Sequence, residues 1–284
     1  MAESHSHKFG QIIGDLLEIA IQPHLAKFAE ENNLFLDKKG ERLIRKGKKV
    51  SWTDIKENIH DLDFVLERNG TNEAVGVPVA FIEIAWRRYT KHSRNKAQEI
   101  QGAILPLAEK FKSSSPFLGV VLAGEFTKGA INQLQSSGFN VLYFPYDTVV
   151  YAFQKFGINA SFNEQTSEED FKSKIESWSE LENKNDVAKE LLKLNENEVD
   201  RFFKSLTDSV SRFIERIIIL TVYGKESTLT TVNDAIDFLN KYSEEQSNLT
   251  FERFEIIVKY NSGDKIDASF KDKKDAIKFL QNYL

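Results

Sequence analysis

The chain has 284 residues, 41% of them hydrophobic and 12% aromatic, with 38 Lys and Arg against 43 Asp and Glu for a net charge of −5. That length suits one large or two modest domains with a sizeable core, and the apolar content excludes a disordered chain. No cysteine is present, which excludes disulfides, cysteine-ligated zinc, iron–sulfur centres and thiol nucleophiles, while the acidic balance argues against bulk capture of nucleic acid but not against a local basic site.

The first ten residues lack the apolar core of a signal peptide, and His5 and His7 read as part of a frayed polar terminus rather than as metal ligands. A helix is predicted over 9–31, where Phe9, Ile13, Leu16, Ala20 and Leu25 fall near helical spacing and Pro23 marks a kink. Residues 38–49 carry seven basic residues and one acidic one, the composition of a surface loop or a phosphate clamp. Strands are predicted over 62–67 and 77–86, with the 69–76 turn making them antiparallel neighbours. A helix over 96–110 follows, with Ile100, Ala103, Ile104 and Leu107 on one face and Pro106 in its last turn. Then come a strand over 117–123, a helix over 128–135, a strand over 139–144 and a helix over 148–156. Such alternation predicts an α/β layer with a mixed, partly parallel sheet.

Residues 163–200 hold twelve acidic and five basic residues, which reads as an acidic helical connector over 161–210. The module 211–284 contains an internal repeat: residues 234–242 match 275–283 at six of nine positions, 41 residues apart. Each copy follows a strand pair, 216–223 with 227–232 and 254–260 with 265–270. Two strand–strand–helix units are therefore expected, sharing one small sheet. No stretch approaches the ~20 apolar residues of a membrane span, so a soluble cytoplasmic protein is expected.

The chemistry concentrates between His60 and Ile100. Asp63 opens one apolar strand, and Glu83 interrupts another made of Val79, Ala80, Phe81, Ile82 and Ile84. A carboxylate in a buried strand is costly unless paired or bound to a cation. An ion pair with Arg87 or Lys96 would account for Glu83 alone. Two carboxylates converging across a hairpin instead suit magnesium, which takes one or two carboxylates and keeps several waters, and which can activate water and stabilise a phosphoryl transition state. Strand periodicity puts Glu83, Ala85 and Arg87 on one face. Lys91, Arg94 and Lys96 follow closely. Acids and cations together fit a metal-bridged phosphodiester. A Gly-rich phosphate loop is absent, which argues against a nucleoside triphosphatase.

The order Asp63, hairpin, Glu83-Ile84-Ala85, then a basic helix start resembles the PD-(D/E)XK nucleases, and type II restriction endonucleases in particular, over residues 9–156. The resemblance implies a restriction-endonuclease-like mixed sheet flanked by helices in a domain of residues 1–160. It implies magnesium held by Asp63 and Glu83, with Asp61 as the alternative first ligand, and hydrolysis of DNA to 5′-phosphate ends. The family's lysine falls at Ala85, where this sequence has none. Lys96 is the first candidate for the replacement cation and Arg87 the second. Glu18 is a candidate accessory acid. Arg88, Lys91, Arg94, Lys46 and Lys48 are expected on the phosphate backbone of double-stranded DNA. Cutting both strands implies a homodimer or two nicks. A repair or junction nuclease of the same superfamily stays open as an alternative. So does a non-catalytic DNA-binding or partner subunit, because of Ala85.

Overall fold

The computed structural model describes residues 4–221, 226–243, 251–261 and 263–283. The chain divides into a first unit, residues 1–206, and a second, residues 207–284.

In the first unit, α1 (His5–Glu31) starts at Ser4, whose side chain accepts from the His7 backbone N–H. The terminus is thus not frayed at His5 and His7: both lie in the first turn, and His5 Nδ1 is 2.6 Å from Glu168 Oε2. Phe9, Ile13, Leu16, Leu17, Ile21 and Leu25 recur every three or four residues and are all buried. Then follow β1 (Leu34–Lys38), β2 (Val50–Thr53), β3 (Ile59–Leu62), β4 (Phe64–Arg68) and β5 (Val77–Arg87). After them come α2 (Ser93–Lys110), β6 (Phe117–Gly124), α3 (Lys128–Ser136), β7 (Asn140–Pro145) and α4 (Tyr146–Gln154).

Five strands form a mixed sheet in the order β1-β4-β5-β6-β7. β1, β4 and β5 pair antiparallel, and β5, β6 and β7 pair parallel. The parallel half needs α2 and α3 as crossovers. These helices pack on the face that carries Val65, Phe81, Ala85, Val120 and Leu122. Trp86, of opposite parity, meets α1 at Gly10. Sheet and helices thus form the flanked α/β layer expected from the alternating pattern.

Three short strands were not predicted. β1 has only five residues and sits at the sheet edge. β2 and β3 form a separate two-stranded ribbon. Its Val50, Trp52 and Leu62 are buried in the same core as α2. The strand expected over 62–67 is accordingly broken at Asp63, which lies in a bend between ribbon and sheet. The helix expected from 96 begins a turn earlier, at Ser93, which is wholly buried and whose Oγ bonds the Thr90 carbonyl.

α5 (Glu168–Glu180) and α6 (Lys184–Lys193) correct the expectation of a connector: both pack against α1 and belong to the first unit. Their charge covers buried Phe171, Ile175, Trp178, Val187 and Leu191. An amphipathic pattern of this kind folds onto a core despite its net charge. α7 (Glu196–Val210) leads on into the second unit.

Gly124 ends β6 at φ +97°, and a Cβ there would lie 2.1 Å from the Arg87 carbonyl oxygen. That same oxygen accepts from the Glu125 N–H at 2.7 Å. Gly124→Ala is expected to destabilise the first unit by about 2 kcal/mol or more, read from urea unfolding, because both the backbone angle and the space exclude it.

The second unit runs β8 (Ile214–Thr221), β9 (Glu226–Leu229), α8 (Val232–Lys241), β10 (Phe254–Tyr260), β11 (Lys265–Phe270) and α9 (Lys273–Gln281). Its antiparallel sheet has the order β11-β10-β8-β9, and α8 and α9 pack together. The repeat extends to the helix caps: Thr231 accepts from the Asp234 N–H, and Asp272 from the Asp275 N–H. The first expected turn, 224–226, falls mainly outside the described residues, and so does Ser262 of the second.

Candidate active site

The register of β4 on β5 builds the site. Phe64 pairs with Ile82 and Val65 with Phe81, so Asp63, just before β4, comes opposite Glu83. Glu83 shares the face of Phe81 and Ala85, the face on which α2 packs. Asp63 Oδ2 accepts from the Ile84 backbone N–H at 2.6 Å, which fixes the carboxylate across the strand gap.

Glu83 is 9% exposed, and its Oε1 has no hydrogen-bond partner. Burial, then the nearby Asp63 carboxylate, push its pKa up to about 8, against the opposing pull of Lys96 and the Asp63 backbone N–H. Burial also raises Asp63, opposed by the Ile84 N–H, Lys96 and Lys39. Burial of the pair, and the Asp63 carboxylate beside Glu83, therefore raise its affinity for a proton or another cation. Among the described residues, no three His, Asp or Glu side chains converge as a ready ligand set. A pair with a bare buried oxygen still fits magnesium, which completes its shell with water.

The cations sit around this pair. Lys96 lies in the first turn of α2, with its side chain 20% exposed and its Nζ 3.5 Å from Glu99 Oε2. Arg87 Nη2 is 3.7 Å from the same Glu99 oxygen, and its Nη1 donates to the Trp86 carbonyl. Glu99, not Glu83, is thus the partner of both, so a simple ion pair does not account for Glu83. Of the two cations, Lys96 is the one whose charge pulls the pKa of both acids down.

One cavity borders Asp63 and a second borders the cations. The first, of about 300 Å3, is lined by Glu18, Lys38, Lys39, Lys49, Asp61 and Asp63. Burial first, and Asp63 second, raise the pKa of Glu18 there. The other, of about 820 Å3, is lined by Ala85, Trp86, Arg87, Tyr89 and Lys96 among others. Asp61 is engaged by Lys49 Nζ at 2.6 Å and Ser51 Oγ at 2.7 Å, which leaves Asp63 as the better-placed acid.

The expected backbone contacts divide. Lys91 is exposed beside Glu164 at 3.5 Å, and Arg94, Lys46 and Lys48 are exposed. Arg88 is instead tied down: its Nε donates to the Phe162 carbonyl at 2.8 Å, and its guanidinium stacks 3.9 Å from the Tyr146 ring centroid. It holds a loop more than it offers a phosphate contact. Two arginines of the 38–49 run are also committed. Arg42 is buried on Glu67 and Asp37, and Arg45 bonds both Asp37 oxygens. Lys39 is the group the sequence reading did not single out. It bears on both Asp63 and Glu18 from the end of β1, and recognising β1 as the neighbour of β4 would have found it. No described helix is long and apolar enough to cross a membrane. No family model, curated protein or solved structure matches the chain.

Proposed function

We propose that the chain is a magnesium-dependent DNA endonuclease of the PD-(D/E)XK type, acting as a type II restriction enzyme. The observation that supports it best is the pairing of half-buried Asp63, just before β4, with buried Glu83 on β5, whose Oε1 is unpartnered. Natural proteins seldom leave a buried carboxylate oxygen bare without a ligand to meet it. The five-stranded mixed sheet flanked by α1 and α2 is compatible with the restriction-endonuclease-like fold.

Asp63 and Glu83 would hold the magnesium ion. When bound, magnesium lowers the pKa of water and offsets charge on phosphoryl oxygens. The chain's own residues then divide the remaining work. The Ile84 N–H holds the Asp63 carboxylate in one orientation. Lys96 places positive charge beside the acids, where it opposes charge developing on the phosphate in the transition state. Glu99 restrains Lys96 and Arg87 until a phosphate competes for them. Exposed Lys46, Lys48, Lys91 and Arg94 are available to the DNA backbone. A homodimer would present one such site to each strand.

Plasmid digestion tests the reading. Discrete fragments in magnesium are expected, with 5′-phosphate ends; a smear points to a nonspecific nuclease. DNA binding with no cleavage in magnesium or manganese would falsify catalysis by this chain. Within an active enzyme, Lys96→Ala is expected to lower kcat about 10²-fold, whereas Arg87→Ala, whose guanidinium is spent on Glu99 and the Trp86 carbonyl, loses less than about fivefold. Single-turnover cleavage rates rank the two, and the reverse order would move the role to Arg87.

A further inference from the structure

We infer that the β2–β3 ribbon is the part of this chain that reads base edges in the DNA major groove. The inference rests on the nuclease reading of the neighbouring acid pair.

The ribbon has two chemically distinct faces. Val50, Trp52 and Leu62 anchor the inner face in the core against α2. The outer face carries Ser51 opposite Asp61 and Thr53 opposite Ile59. Ile59 is 71% exposed and Ile55, in the turn, is 55% exposed. They give the tip of this outer face apolar surface that a bound partner can meet.

Its turn is rigid. The buried Asp54 carboxylate accepts from the Lys56 and Asn58 backbone N–H groups at 2.7 and 2.9 Å, and from the Asn58 amide at 3.0 Å. The His60 ring lies 3.0 Å from its other oxygen. Lys110 of α2 donates to the Thr53 carbonyl at 2.6 Å, tying the ribbon to the helix beneath. A preordered element loses little entropy on binding.

Placement chooses the occupant. Lys49 and Asp61, both on the outer face, also wall the cavity that contains Asp63. β3 ends at Leu62, one residue before Asp63. A phosphodiester at the acid pair therefore brings the adjoining duplex against this face. A two-stranded ribbon fits the major groove, about 12 Å wide, and the side chains match what is displayed there. The Thr53 hydroxyl can bond donors or acceptors on base edges, and Ile59 can meet the thymine methyl, while Asp61, already holding Ser51 Oγ and Lys49 Nζ, has lone pairs left to accept from the cytosine amino group.

The test selects binding sites from a library of randomised duplex DNA, using the full chain in calcium. The wild type is expected to enrich a consensus. Thr53→Ala with Ile59→Ala, both solvent-facing, is expected to lose discrimination at one or two positions by ~10–100-fold while keeping the salt dependence of binding. Ser51→Ala serves as a second, milder variant, and thermal melts establish that each is folded. An unchanged consensus in both variants, or no consensus in the wild type, overturns the inference. So does a change of oligomeric state in the double variant, which would make the face a contact between copies. None of these bears on cleavage. An intact plasmid in magnesium and manganese, by contrast, removes the nuclease reading, whatever the selection shows.

Discussion

Glu83→Gln is expected to make the metal-free protein more stable at pH 8 while removing magnesium-dependent cleavage. Glu83 ordinarily would titrate near 4.5 and is pushed up to about 8 in the fold. Between those values the unfolded chain has released the proton and the folded chain still holds it. Wild-type stability therefore falls as pH rises from about 4.5 to about 8, because unfolding relieves a costly buried acid. Glutamine carries no such penalty. The gain is expected to be ~2 kcal/mol at pH 8, or about 5 °C in Tm, and to shrink toward zero near pH 5. Melts in EDTA at the two pH values measure it. On the proposed function, magnesium should then raise the wild-type Tm by mass action and leave that of the variant nearly unmoved. Cleavage should drop by ~10³-fold or more. Equal destabilisation by glutamine at both pH values would mean that Glu83 is a supporting group, and the acid pair would lose its standing as a cation site.

Arg42→Ala is the second large effect, and it acts through folding. The guanidinium reaches Glu67 with Nη1 at 2.6 Å and Nη2 at 3.0 Å, and Asp37 with Nη1 at 2.9 Å. It also donates to the carbonyls of Thr71 and Ala74. All three charged side chains are almost wholly buried. Removing the arginine leaves buried Glu67 without its counter-charge, with the Gly76 N–H still on it at 2.6 Å, while Asp37 keeps Arg45; the expected cost is ~3–5 kcal/mol by urea unfolding. Lysine has three donors on one compact ammonium and lacks the planar five-donor fork that spans Glu67, Asp37 and the two carbonyls, so Arg42→Lys is expected to recover only part of the loss. If Arg42→Ala changed the urea midpoint little, the network would contribute order to the 38–49 loop and no stability.

Much of this was legible in the sequence, for identifiable reasons. The strand of Val79 to Ile84 with a lone acid in it, and the 69–76 turn beside it, carry strong local signals. Their pairing needed only the hairpin rule, and it brings Asp63 to Glu83. α2 followed from Ile100, Ile104 and Leu107. What escaped depends on distant partners. β1 is five residues at an edge, defined by β4 some thirty positions later. β2 and β3 have four residues each, too short for a period to register. The net charge of the 38–49 run gave no sign that Arg42 and Arg45 face inward, since their acids, Asp37 and Glu67, lie outside the run. Lys96 ranked ahead of Arg87 by its place at the helix start; both pair with Glu99, and it is the charge of Lys96 on both acids that favours it. Ala85 is buried in the core beside Phe81, so a longer side chain there would have to find its own way out to the site.

The acidic helices α5 and α6 have one more consequence. Because they are packed on α1 through Phe171, Ile175 and Leu191, their carboxylates occupy fixed positions. A loose acidic tether would behave as a built-in polyanion, folding over the lysines and competing with any added strand. Helices held this way cannot swing across. The lysines are therefore not covered by a swinging acidic tether; the acid that meets them, Glu164 beside Lys91 at 3.5 Å, is a local pair that added polyanion must displace.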